Sequence, residues 1–264
     1  MTRDANWAII TGASSGIGKA LAIEFAAGGF NLFLSGRNEA ALAEVAARCA
    51  DKHRVETLIA IADLASVEGI DSLISALAAQ PYRYEVLVNN AGFGIHGDFA
   101  SGDVDRNVQL VNVQLTAALK LTKAVLPAMI SARSGRILNV ASVYSFSPVP
   151  FQSVYAASKA FLLSFSQSLE SELHGTGVTV TVFCPGVTQT EFRRRAGIGE
   201  KRKNAGISAE TAARIAYRAT LRGTHVVVPG LVNRLFVFLS RVLPVGRVPG
   251  IVRFVNRQRG QNTP

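Results

Sequence analysis

The chain has 264 residues, 48% of them hydrophobic and 17% charged, with 28 Lys+Arg against 18 Asp+Glu and two cysteines. This composition suits one sizeable core and excludes a disordered chain. Two cysteines build no disulfide framework, and no Cys/His cluster has metal-ligand spacing, so no metal is expected. The net charge of +10 is lopsided: residues 1–192 hold 13 Lys/Arg and 16 Asp/Glu, whereas residues 193–264 hold 15 Lys/Arg and only Glu200 and Glu210.

The polar start, Met1 to Trp7, lacks the apolar stretch of a secretory signal, and with the cysteine usage it predicts a reduced, cytoplasmic protein. Trp7–Ile10 reads as the first strand and Gly18–Ala27 as the first helix. Phe30–Leu34 is the second strand, Glu39–Ala50 the second helix, Val55–Ile61 the third strand and Val67–Ala79 the third helix. Glu85–Val88 is a short fourth strand. Val108–Ile130 has helical periodicity, with Pro127 in its last turn. Arg136–Val140 is a fifth strand, Val154–His174 a helix closed by Gly175-Thr176-Gly177, and Val178–Phe183 a sixth strand. Residues 193–206 form a polar, basic stretch that reads as a lid. Ala209–Arg222 is helical and His225–Val228 the last strand. Such alternation predicts an α/β domain over residues 1–230, a doubly wound parallel sheet of about seven strands with helices on both faces.

Residues 231–264 read as a basic, apolar extension, not a separate domain. Leu231 to Leu243 is mostly apolar, and Arg234, Arg241, Arg247, Arg253, Arg257 and Arg259 punctuate the extension. Arginine recurs too often, and the apolar runs are too short, for a membrane span. Two readings stay open: an interfacial segment over 231–259 facing anionic lipid, or a helix packed on its own domain or a partner subunit. Nucleic acid is not expected, because no base-stacking groups interleave the basic ones.

Thr11-Gly12-Ala13-Ser14-Ser15-Gly16-Ile17-Gly18 lies between the first strand and the first helix. Glycines there permit a tight turn and close approach of a pyrophosphate, which the helix N-terminus attracts. The spacing is G-x-x-x-G-x-G, not G-x-G-x-x-G. The second strand leads into Ser35-Gly36-Arg37, an arginine where an acid would favour a free ribose 2′-hydroxyl, so the expected cofactor is NADP(H) more than NAD(H). Asp63, ending the third strand, suits either the adenine amino group or a helix N-cap.

Tyr155 and Lys159 stand four apart at the start of a helix, hence on one face. A cation there is expected to lower the phenol pKa and ready it for proton exchange. Ser142, at the carboxyl end of the fifth strand, falls where open α/β sheets place their ligands. His53, His96, His174 and His225 share no spacing with a nucleophilic serine.

With Asn89-Asn90-Ala91-Gly92, Val111-Asn112-Val113 and Pro185-Gly186, these motifs make the chain resemble the short-chain dehydrogenase/reductase family from Trp7 to Val228. The resemblance implies a single Rossmann-like domain and a catalytic set of Asn112, Ser142, Tyr155 and Lys159. Tyr155 would be the acid/base, Ser142 would orient the carbonyl, Lys159 would hold the nicotinamide ribose, and Asn112 would anchor a relay water. It implies cofactor contacts at Gly12, Ser14, Ser15, Gly16, Ile17, Gly18, Arg37, Asp63, Leu64, Asn89, Ala91, Gly92, Tyr155, Lys159, Pro185, Gly186, Val187 and Thr190. Substrate contacts would fall at Phe93, Ile95, Ser142, Val143, Tyr144, Phe151 and Gln152, with residues 188–207 as the lid. The implied activity is reversible hydride transfer between NADP(H) and a carbonyl/alcohol pair, a lipophilic ketone or 3-oxoacyl substrate, by a homodimer or homotetramer. A non-catalytic NADP(H) sensor and a scaffold acting through the tail are the alternatives.

Overall fold

The computed structural model describes residues 6–197 and 206–242. Its first half alternates strictly: β1 (Trp7–Thr11), α1 (Gly16–Ala27), β2 (Asn31–Gly36), α2 (Glu39–His53), β3 (Thr57–Ile61), α3 (Val67–Ala78) and β4 (Tyr84–Asn89). Then α4 (Val104–Val111) passes through a π turn (Asn112–Thr116) into α5 (Ala117–Ser131). They are followed by β5 (Gly135–Val140), a 3-10 turn (Val143–Phe146), α6 (Ser153–Glu172) and β6 (Val178–Phe183). The short β7 (Thr188–Gln189) and β8 (Ile207–Ser208) bracket α7 (Phe192–Arg195), before α8 (Ala209–Leu221), β9 (Val226–Val227) and α9 (Leu231–Val242).

Seven strands pair in the order β3-β2-β1-β4-β5-β6-β9, every pairing parallel. The five central strands β2, β1, β4, β5 and β6 are buried on both faces, and their side chains alternate between two cores, whereas the edge strand β3 leaves Ile59 and Ile61 exposed. Ala8, Ile10, Leu32, Leu34, Val86 and Val88 pack with Leu21 and Phe25 of α1, Leu42 and Val45 of α2, and Ala212 and Ala216 of α8. Trp7, Ile9, Phe33, Leu87 and Ile137 face the other way, onto Ile70 and Leu73 of α3, Leu121 and Val125 of α5, and Leu169 of α6. The chain reverses its winding between β1 and β4, and a crevice opens at the carboxyl ends of those strands.

Helix starts follow local capping chemistry. The side chains of Asn38, Ser66 and Ser208 accept from the backbone N–H three residues on, at 3.0, 3.0 and 3.1 Å. Asp103 caps α4 through the N–H groups of Asp105 and Arg106, so the helix starts at Val104, earlier than the apolar periodicity from Val108 predicts. Pro127 lies inside α5, one turn before its end. Val104–Ser131 is the one helix among the described residues long and apolar enough to span a membrane; it lies against the sheet instead, through Leu121, Val125 and Met129. Of the expected lid, the β7–β8 ladder and α7 are described, whereas Lys201-Arg202-Lys203 and the tail beyond Val242 lie outside the described residues.

Candidate active site

A cleft of about 530 Å³ runs along the carboxyl edge of the sheet. Its floor at one end is the Gly12–Gly18 turn. Thr11 Oγ1 donates to the Val88 carbonyl at 3.2 Å and accepts from the N–H groups of Asn90 and Ala91, both at 3.1 Å. The Asn90 amide donates to the carbonyls of Thr11 at 2.9 Å and Gly12 at 3.3 Å. Residues from β1 and β4 thus staple the turn. Gly12 and Gly16 have φ of +66° and +56°, a conformation suited to glycine. A Cβ at Gly12 would come within 2.9 Å of Ala91 Cα, and one at Gly18 would strike the Gly12 carbonyl and the Asn90 amide. Ser15, the N-cap of α1, makes no side-chain cap bond, unlike its counterparts on α2 and α3. The first N–H groups of α1 therefore keep their donors for the cleft, a cradle for phosphate. Arg37 lines the same end just past β2 and is exposed, with Ser35 and Gly36 before it.

The other end is built from side chains. Ser142 caps the 3-10 turn, its hydroxyl accepting from Tyr144 N–H at 3.2 Å. Tyr155 and Lys159, one turn apart on α6, are both buried and line the cleft. Lys159 Nζ donates to the Val140 carbonyl at 2.9 Å and lies 5.7 Å from the centre of the Tyr155 ring. The rings of Phe192 and Tyr144 pack on Tyr155 at 5.6 and 6.4 Å between centres.

This packing reverses the expected electrostatics. Burial pushes the Tyr155 phenol above its ordinary range; a hydrogen bond with the Ser142 hydroxyl opposes the rise, and Tyr144 adds to it. Burial also drives Lys159 down to about 7, against a smaller opposing effect from Cys184. A dry pocket penalises both charged forms, and the amine is spent on a backbone carbonyl instead of the phenol. Near neutral pH the pair is a protonated phenol beside a partly protonated amine. Cys184 beneath them is held up at about 12 by burial, so it is a thiol and no nucleophile.

Ser14, Ser15, Gly16, Ile17, Asp63, Leu64, Ala91, Gly92, Phe93, Val143, Tyr144, Gln152, Pro185, Gly186, Val187 and Thr190 line the cleft as expected, with Gly12, Arg37, Ser142, Tyr155 and Lys159. Five expected residues do not line it. Asn89 is buried in the sheet, its amide donating to Asn139 at 2.8 Å and Thr122 at 3.3 Å, while Asn90 takes the cleft position. Gly18 packs under the turn and serves it by having no side chain. Ile95 lies off the cleft, and His96 beside it lines the wall. Phe151 also lies off it, at φ +68° with its carbonyl accepting from Gly97 N–H at 2.9 Å. Asn112 opens the π turn and donates to the Ala65 carbonyl at 2.9 Å. The Asp63 carboxylate accepts from Ala65 N–H at 3.1 Å, while Ser66 caps α3.

Arg195, from the basic stretch read as a lid, stands on the cleft wall, and so do Phe192, Glu191 and His96, which sequence reasoning did not single out. Only their place in the expected lid, or beside Ile95, signalled them. His96 Nδ1 is buried without a hydrogen-bond partner among the described residues, and burial lowers the imidazole pKa. Among the described residues no group of three or more His, Cys, Asp or Glu could hold a metal.

A family profile described as short chain dehydrogenase matches residues 6–201. An uncharacterised oxidoreductase of Staphylococcus saprophyticus is 34% identical over 219 residues, which cover 83% of this chain and 92% of that one. Sulfoacetaldehyde reductase 2 of Chromohalobacter salexigens is 35% identical over 243 residues, covering 88% of this chain and 94% of its own. Among solved structures, a short-chain dehydrogenase from Sphingobium yanoikuyae in complex with NADPH aligns with a TM-score of 0.81 and 30% identity over 98% of both chains.

Proposed function

The chain belongs to the short chain dehydrogenase family of oxidoreductases, and from that premise we propose that it is an NADP(H)-dependent reductase of a lipophilic ketone or 3-oxoacyl compound. The observation that carries this reading is the joining, in one cleft, of an uncapped glycine-rich helix start with Arg37 at one end and Ser142, Tyr155 and Lys159 at the other. The residues fit the cofactor. The backbone of Gly12–Ile17 would hold the pyrophosphate, and Arg37 would pair with a 2′-phosphate, with no acid at Ser35 or Gly36 to repel it. Asp63, Leu64, Ala91 and Gly92 border the adenosine side, while Lys159, Pro185, Gly186, Val187 and Thr190 border the nicotinamide side. When bound, the nicotinamide supplies or takes the hydride.

The protein's own part is positional and protic. Ser142 holds the substrate oxygen by a hydrogen bond, and Tyr155 Oη gives that oxygen a proton. Burial keeps the phenol in its protonated form, the form that carbonyl reduction uses, and the same residues serve the reverse reaction. Lys159 compensates the charge left on Tyr155 once the proton has gone. Asn112 steadies the α4–α5 junction through Ala65, and in this reading it acts by position. Phe93, Val143, Tyr144 and Phe192 give the substrate end an apolar wall with few polar anchors, which suits a lipophilic molecule. Residues 188–207 act as the lid, with Phe192 laid over Tyr155. The reading includes a cytoplasmic homo-oligomer, whose size light scattering of the purified chain checks.

The test is NADPH oxidation across ketones, 3-oxoacyl thioesters, steroids and quinones, alongside cofactor titration of Arg37→Asp. Turnover of at least one carbonyl is expected, and the variant's preference for NADPH over NADH should fall about tenfold or more. NADPH binding without turnover of any carbonyl would return the sensor reading, and an unchanged cofactor preference would remove Arg37 from the site.

A further inference from the structure

We infer that the outward face of α9 is a docking surface for an anionic lipid bilayer. Leu231, Val232, Leu235, Phe238, Leu239 and Val242 recur at i, i+1, i+4, i+7, i+8 and i+11, which gathers them into one stripe along the helix. They are 81%, 82%, 58%, 61%, 43% and 64% exposed. The opposite side, Asn233, Phe236, Val237 and Ser240, is half-buried against the domain. It is seated by Asn233, whose amide donates to the Pro229 carbonyl at 2.7 Å and whose side chain abuts Gly186. The apolar side of this amphipathic helix therefore faces solvent, while its polar and mixed side holds the protein. Single exposed apolar residues are ordinary; six aligned on one helix are an interaction site.

Charge selects the occupant. Arg234 and Arg241 stand seven residues apart on one flank of the stripe. Both are exposed, the first donating to the Val228 carbonyl at 3.0 Å and the second lying over the Phe146 ring at 5.1 Å. Arg247, Arg253, Arg257 and Arg259 follow in the sequence, and no Asp or Glu occurs after Glu210. A second copy docking by the same face would bring these arginines against their own kind, with no carboxylate on the helix itself to pair them. An anionic bilayer satisfies both features, taking the apolar stripe below the headgroups and the guanidinium groups at phosphate level. The helix also packs on the 3-10 turn that carries Val143 and Tyr144. Docking there sets the cleft beside the lipid surface. The inference rests on surface and charge alone, and it stands whatever carbonyl the cleft accepts.

Sedimentation of the full chain with vesicles of phosphatidylcholine alone, or of phosphatidylcholine mixed with phosphatidylserine, tests it. The chain should pellet with the mixed vesicles, and raised salt should release it. Leu235→Glu with Phe238→Glu should weaken binding about tenfold or more while the variant melts like the wild type, since both side chains are exposed. Arg234→Gln with Arg241→Gln should weaken it less. A chain left in the supernatant with mixed vesicles overturns the proposal, as does equal binding to phosphatidylcholine alone. Self-association that the Leu235→Glu and Phe238→Glu changes abolish, without vesicle binding, assigns the face to a second copy.

Discussion

At its phosphate end the cleft presents backbone; at its catalytic end it presents side chains. The turn from Gly12 to Gly18 is shaped by glycine conformations and held from behind by Thr11 and Asn90. Its affinity for an anion needs no ionisable group of its own beyond Arg37, because the dipoles of α1 do the attracting. The catalytic wall depends on three polar side chains whose behaviour is set by what covers them. Tyr155 has Phe192 and Tyr144 against it, and Lys159 is tied to the Val140 carbonyl. A backbone site tolerates its surroundings; a site of buried titratable groups is defined by them.

The sharpest way to break the comparison is Tyr155→Phe. It removes the transferable proton and keeps the ring packing, so kcat/KM should fall by about 10²–10⁴ while NADPH affinity measured by fluorescence titration stays as in the wild type. Turnover near the wild-type rate would remove Tyr155 from the chemistry. Gly18→Ala attacks the other end. The added methyl meets the Gly12 carbonyl and the Asn90 amide, and urea unfolding should show a loss of about 1–3 kcal/mol together with weaker NADPH binding. A variant as stable as the wild type would mean that the turn yields freely.

The last test concerns Lys159 in the cofactor-free protein. With the folded amine at about 7 and its ordinary value at 10.5, the unfolded chain carries a proton between these pH values that the folded chain has lost. Stability should therefore rise from pH 7 toward 9, and it should turn down once the unfolded Cys184 thiol, with an ordinary value of 9.0, and then the unfolded phenol ionise while both buried groups keep their protons. Urea midpoints across this range should show the rise in the wild type and not in Lys159→Met. Equal slopes in both would place the amine's titration elsewhere.

Much of this was legible in the chain itself. The order of strands and helices, the glycine turn after β1, Arg37 after β2, and the pairing of Tyr155 with Lys159 all follow from local rules: side-chain periodicity, the conformational freedom of glycine, and the pitch of a helix. The boundary of β6 was read to the residue, because a β-branched run between glycine and Cys184-Pro185 leaves little choice. Other matters depended on neighbours far away in sequence. Which of Asn89 and Asn90 faces the cleft is decided by Asn139, Thr122 and Thr11. The exclusion of Ile95 and Phe151, and the arrival of Phe192 and His96, follow from how two loops fold over the sheet. The direction of the Tyr155 shift came out opposite to the local expectation, because a charge four residues away is a sequence property whereas loss of water is produced by every element that packs around the ring. The same holds for α9: its amphipathic spacing was written in the sequence, but only its seating on Pro229, Gly186 and Phe146 turned the apolar stripe outward.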